Sequence, residues 1–66
     1  MDVAPGQRFR KLDIPYITWE VAAVLRGSDA RLYARLRPVG DHLTEKTLAC
    51  VVLQDRKLFH PVTAKS

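Results

Sequence analysis

RGSDARLYARLRP, residues 26–38, admits two backbones, and the choice between them decides the fold. Leu32, Ala34 and Leu36 fall on one parity, while Arg31, Arg35 and Arg37, with Tyr33 among them, fall on the other. Successive side chains of a strand point to opposite faces, so an extended chain here turns its leucines to a core and its guanidinium groups to water. A helix competes: Ser28 or Asp29 could cap it, Leu32 and Leu36 stand four apart, and alanine, leucine and arginine are good helix formers. The regular alternation, and the marginal stability of a short isolated helix, favour a strand over Ala30–Arg37. Pro38 ends it, and Arg26-Gly27-Ser28-Asp29 forms the turn before it.

Working back from that turn, ITWEVAAVL (residues 17–25) sets Ile17, Trp19 and Val21 against Thr18, Glu20 and Ala22, the pattern of a half-buried strand. Val24 and Leu25 break the parity, and a bulge near Ala22-Ala23 would return Val24 to the Trp19 side. Pro5-Gly6 marks a turn, and Gln7 to Leu12, with Phe9 between Arg8 and Arg10, reads as a first strand. Asp13-Ile14-Pro15 is expected to interrupt it, because proline lacks a ladder donor and restrains its predecessor.

Working forward, Gly40-Asp41 opens a turn that extends to Leu43 or Thr44. Thr47, Ala49 and Val51 alternate with Leu48, Cys50 and Val52, so a fourth strand could present either face inward, with more side-chain volume on the Leu48 side. A continuous apolar run does not distinguish strand from helix, and residues 44–53 stay open to both. The preferred reading is a strand through about Cys50, a short helical turn over Val52–Asp55, then a last strand with Leu58, Phe59 and Val62. Pro61 places that strand at an edge or at its own end.

Five short segments predict a mainly β fold, either a small, strongly curved antiparallel sheet or a five-stranded barrel, with a short helical turn before the last strand. A compact fold of three strands and a helix is the alternative. Phe9, Trp19, Val21, Leu32, Leu36, Leu48 and Phe59 would share the interior. A chain of 66 residues buries only about 60% of its unfolded surface, so one small domain, residues 6–62, is expected, with flexible termini at 1–5 and 63–66.

P-G-Q-R-F at Pro5 to Phe9, W-E-V at Trp19 to Val21, the alternating third strand, and L-Q-D-R-K-L-F at Leu53 to Phe59 together resemble a small SH3-like or Tudor-like barrel domain. The resemblance covers most of the chain and rests on the order of elements. It implies a five-stranded barrel with a helical turn before the last strand, and the binding of nucleic acid or of protein tails. A Tudor-type cage needs several converging aromatics; this chain has Phe9, Tyr16, Trp19, Tyr33 and Phe59, several of them needed inside, so a pocket for methylated lysine or arginine is not expected.

Eleven lysines and arginines against seven acids give a net charge of +4, which eases the approach of polyanions. The sharpest functional reading is a nucleic-acid-binding face of Arg31, Arg35 and Arg37, joined by Arg8, Arg10 and Lys11 if the first strand lies nearby. Its guanidinium groups would grip phosphates of DNA or RNA and Tyr33 would stack on an unpaired base, with little base selectivity. Two other readings compete. The face is merely solvated, or Tyr16 and Tyr33 anchor another protein, a partner strand adding to an exposed edge or a second copy covering Val51-Val52-Leu53.

An enzyme is not expected: His42 and His60 lie apart, Cys50 sits in an apolar run, and no glycine-rich phosphate loop or paired acid site accompanies them. Cys50 reads as a small buried hydrophobe. As the single cysteine it allows no internal disulfide, and His42 beside Asp41 with the distant His60 supplies too few ligands to define a metal site, so no cofactor is implied. The run from Leu48 to Leu53 is too short for a bilayer and the Met-Asp start lacks a signal-peptide pattern, which makes a cytoplasmic protein the default expectation.

Overall fold

Residues 32–38 are extended, as the alternation of leucine and arginine predicts. The computed structural model describes residues 3–41 and 43–62. In chain order these form β1 (Arg8–Lys11), β2 (Ile14–Arg26), β3 (Leu32–Pro38), β4 (Lys46–Ala49), a short helix α1 (Cys50–Leu53) and β5 (Phe59–Val62). The expectations for residues 1, 2 and 63–66, and for His42, lie outside the described residues.

The strands make one antiparallel sheet in the order β4-β3-β2-β1-β5. The sheet does not close into a barrel, so β4 and β5 are its two edges. The long β2 serves both halves, pairing with β1 through its first part and with β3 through its second. It bends at two irregularities. Val21 pairs with Leu36 and Ala23 with Arg35, which leaves Ala22 as the bulged residue and turns Val24, opposite Ala34, back toward the core.

The second irregularity corrects the expected break at Pro15. Arg10 pairs with Thr18 but Lys11 with Ile14, so residues 15–17 of β2 have no partner in β1 and the strand runs through the proline. A bulge is where a residue without an N–H costs the ladder nothing. Leu12 and Asp13 close the tight connection between β1 and β2.

Phe9, Trp19, Val21, Ala34, Leu36, Cys50, Leu53 and Phe59 form the core, with Val3, Ile17, Val24, Leu48 and Val52 packed against it. Leu32 is a correction: it keeps the inward parity of Ala34 and Leu36 yet is 45% exposed. It occupies the end rung of β3, opposite Arg26, where the inner side opens onto a groove shared with Val3, Ala49, Cys50 and Val51. Its place inside goes to α1, which begins two residues before the helical turn expected at Val52. Cys50 and Leu53, three residues apart, share the buried face of that turn, while Val51 points away and is 67% exposed.

Between β2 and β3 the chain turns through Ser28, Asp29 and Ala30. Ala30 N–H donates to the Gly27 carbonyl at 3.0 Å, and Gly27 N–H donates to the Arg31 carbonyl at 2.7 Å. Ala30 takes the left-handed backbone at φ 69°, which costs a residue with a Cβ about 1 kcal/mol. Gly27 is different: a Cβ there would stand 2.6 Å from the Tyr33 ring and 2.9 Å from the Asp29 carboxylate, so any side chain at this position has to displace one or both of them. No helix among the described residues is long and apolar enough to cross a membrane.

Candidate nucleic-acid interface

The register places Arg8 and Arg10 of β1 and Arg35 and Arg37 of β3 on one outer face, whereas Lys11, expected to join them, pairs with the buried Phe59 and falls on the opposite parity. Arg8 pairs with Glu20, and Glu20 with Arg37, so the two arginines flank one carboxylate, about 9.5 Å apart across two strand spacings. On β1, Phe9 turns into the core and leaves Arg8 and Arg10 together outside, Arg10 lying between Thr18 and His60.

The two halves of this face differ in charge. On β3, Arg35 Nε lies 3.8 Å from Glu45 Oε1, and Arg37 Nε lies 3.5 Å from Glu45 Oε2, so one carboxylate engages two guanidinium groups. Arg37 Nε is enclosed without a hydrogen bond, which leaves the ion pair with Glu45 as its compensation. Arg31 lies outside β3 and faces Asp29 at 3.9 Å, and Lys11 faces Asp13 at 3.8 Å. Arg8 and Arg10 have no ion pair among the described residues.

Glu45 was legible only through the register. Read from sequence, Glu45-Lys46 suggests a turn or cap; once Arg35 pairs with Thr47, continuing the ladder by two residues sets Glu45 opposite Arg37.

Tyr33 is tied to the turn. Its hydroxyl donates to Asp29 Oδ2 at 2.9 Å, its ring lies against Gly27, and the Arg31 N–H donates to Asp29 Oδ1 at 3.1 Å. The Arg31 amide and then the Tyr33 hydroxyl hold the Asp29 carboxyl below its ordinary value, and the bond to Asp29 raises the Tyr33 phenol. The depressed acid loses this clamp as pH falls through its lowered value, and the raised phenol loses it as pH climbs through its own. The clamp is therefore whole across the neutral range. Tyr33 should titrate above 10.0 when followed by ring chemical shifts, and Asp29→Ala should bring it back toward 10.0. A wild-type value at or below 10.0 would mean that the bond does not hold in solution.

Tyr16 is the contrasting aromatic. It is 85% exposed, within the stretch of β2 that β1 leaves unpaired, and it opens onto a cleft of about 630 Å³ lined by Arg8, Thr18, Val39, Asp41 and Val62. The Asp41 carboxylate accepts the Leu43 N–H at 2.8 Å. Tyr16 and Tyr33 stand near opposite ends of β2, since Tyr33 pairs with Leu25, so they do not form one aromatic surface. Trp19 is 8% exposed, a core residue with the Lys46 ammonium 4.8 Å from its ring centre.

Burial pushes the Cys50 thiol up, away from the thiolate that a nucleophile needs. His60 is exposed on β5, and no cluster of three or more metal-ligating side chains occurs among the described residues. Compared with family models, curated proteins and solved structures, the chain matches none of them.

Proposed function

We propose that the chain is a small binding module for single-stranded nucleic acid, with Arg8, Arg10 and Tyr16 as the contact and the β3 arginines as a guarded extension of it. The observation that carries this reading is the pair Arg8 and Arg10, outside on β1 and free of ion pairs among the described residues, beside a tyrosine that is 85% exposed. Unpaired guanidinium groups bind phosphate oxygens without first giving up a carboxylate, and an open tyrosine ring stacks on a base that has left its partner. A duplex offers the ring no such base face. The helix before the last strand supports an SH3-like architecture, here a barrel left open between β4 and β5.

Glu45 competes with phosphate for Arg35 and Arg37, and Glu20 attenuates the field of Arg8. Binding is accordingly weak, tolerant of sequence and governed by salt. Fluorescence anisotropy of a labelled oligothymidine, read at several salt concentrations, tests this. Two phosphate contacts predict a slope of log affinity against log salt of about −1.4. Glu45→Gln should tighten binding by about twofold to fivefold at low salt. Absence of binding at low salt, or binding that salt leaves unchanged, would refute the proposal.

A further inference from the structure

We infer that His60 is a third phosphate contact of the face formed by Arg8 and Arg10, one that engages when its imidazole carries a proton, so that single-stranded nucleic acid binds more tightly as pH falls. This rests on the nucleic-acid reading above and names how that same site is regulated.

The register brings the three side chains together. β5 pairs with β1 so that Arg10 faces His60 and Arg8 faces Val62, while Phe9 and Phe59 turn into the core. Side chains alternate along each strand, so His60 stands outside with Arg8 and Arg10. Directly opposed residues of a ladder bring their Cβ atoms to about 5 Å and diagonal ones to about 7–8 Å, which sets the imidazole beside Arg10 and within a long side chain's reach of Arg8. His60 is exposed and, like the two arginines, has no ion pair among the described residues.

The surroundings of His60 are mostly cationic or apolar. Its rung lies between the pair Arg8–Val62 and the pair Leu12–Leu58, the latter joined by the Leu12 N–H donating to the Leu58 carbonyl at 3.0 Å. On β2, Thr18 lies beyond Arg10, and the Glu20 carboxylate lies behind Arg8, two strands from β5. The helix α1 carries no charged residue. In the turn before β5, Arg56 and Lys57 add positive charge and the Asp55 carboxylate accepts the Lys57 N–H at 2.9 Å. Asp13, in the connection from β1 to β2, is engaged by Lys11 at 3.8 Å.

A proton on His60 therefore sets a like charge opposite Arg10, which is unfavourable in the free protein. A phosphate bound across the three groups neutralises that repulsion. Proton and phosphate favour each other, and by linkage the affinity rises as the imidazole charges. Histidine is the side chain whose charge ordinarily changes between pH 5 and 8, whereas guanidinium groups, phosphodiesters and thymine keep theirs.

Fluorescence anisotropy of labelled oligothymidine with the full chain, at about pH 8 and about pH 5.5, tests this. Affinity should rise by about twofold to fivefold at the lower pH, and the slope of log affinity against log salt should steepen from about −1.4 to about −2.1 as a third phosphate contact forms. His60→Gln should bind at the higher pH as the wild type does and lose the rise. His60→Lys should bind at both pH values as tightly as the wild type does in acid. Equal wild-type affinity at the two pH values would overturn the role of His60 and leave that of Arg8 and Arg10 standing, whereas no binding at either would overturn both. A rise that survives in His60→Gln would overturn it too, by assigning the proton to another group.

Discussion

Leu36→Ala should lower stability by about 3 kcal/mol, whereas Leu32→Ala, four residues away on the same parity, should cost no more than about 1 kcal/mol. Leu36 is fully buried in the middle of β3, opposite Val21 on one side and Lys46 on the other, and truncating it leaves a cavity that two paired neighbours cannot close. Leu32 is 45% exposed at the end rung, where water can fill the space that its side chain leaves. A chain of 66 residues has a total stability of roughly 3–10 kcal/mol, so the first change threatens folding outright and the second does not. Urea denaturation followed by Trp19 fluorescence should show a large drop in midpoint for Leu36→Ala at an unchanged slope. Equal losses for the two leucines would mean that Leu32 is enclosed, and that the groove beside it is closed in solution.

Replacing Arg8 and Arg10 together by glutamine should remove nearly all oligothymidine binding at physiological salt and reduce the salt slope by about 1.4, since two phosphate contacts go. The same exchange at Arg35 and Arg37 should change affinity much less, because Glu45 already occupies both guanidinium groups. This contrast is what the structure adds to the composition. A charge of +4 predicts only that arginines matter, whereas the distribution of carboxylates predicts which ones. Stability should be preserved in the Arg8 and Arg10 variant, since both stand outside and make no ion pair among the described residues. Equal losses at both pairs would place the contact over the whole face and strip Glu45 of its guarding role.

The strand choice at Arg26–Pro38 was legible because one face needs leucine and alanine and the other tolerates arginine, a period that a helix does not reproduce. The bulge at Ala22 was legible for the same reason: Val24 had to come back to the core. The depth of Leu32 was not, because parity gives the face of a side chain and says nothing of how far the covering layer extends. Pro15 misled because the rule that proline breaks strands holds for paired positions, and this one lies where β1 leaves β2 unpaired. The helix start at Cys50 escaped for want of a boundary signal, as Ala49 caps it with no side-chain hydrogen bond.

The candidate site was legible as a set and not as a distribution. Of the seven proposed residues, Arg31, Tyr33, Arg35 and Arg37 were chosen by type and parity, and Arg8, Arg10 and Lys11 by type and the expected nearness of the first strand, but ion pairing depends on which strands adjoin. The two arginine strands turned out to be separated by β2, and the acids between and beside them divide the face into a guarded and an open half.

The most direct test of the central claim is an amide-resolved NMR titration of the wild-type chain with unlabelled oligothymidine at low salt. Shifts should concentrate at residues 8–11 and 16–18 and be reversed by added salt, with residues 31–37 following only at higher ligand. Shifts that begin at residues 31–37, or a spectrum that oligothymidine leaves unmoved, would contradict it.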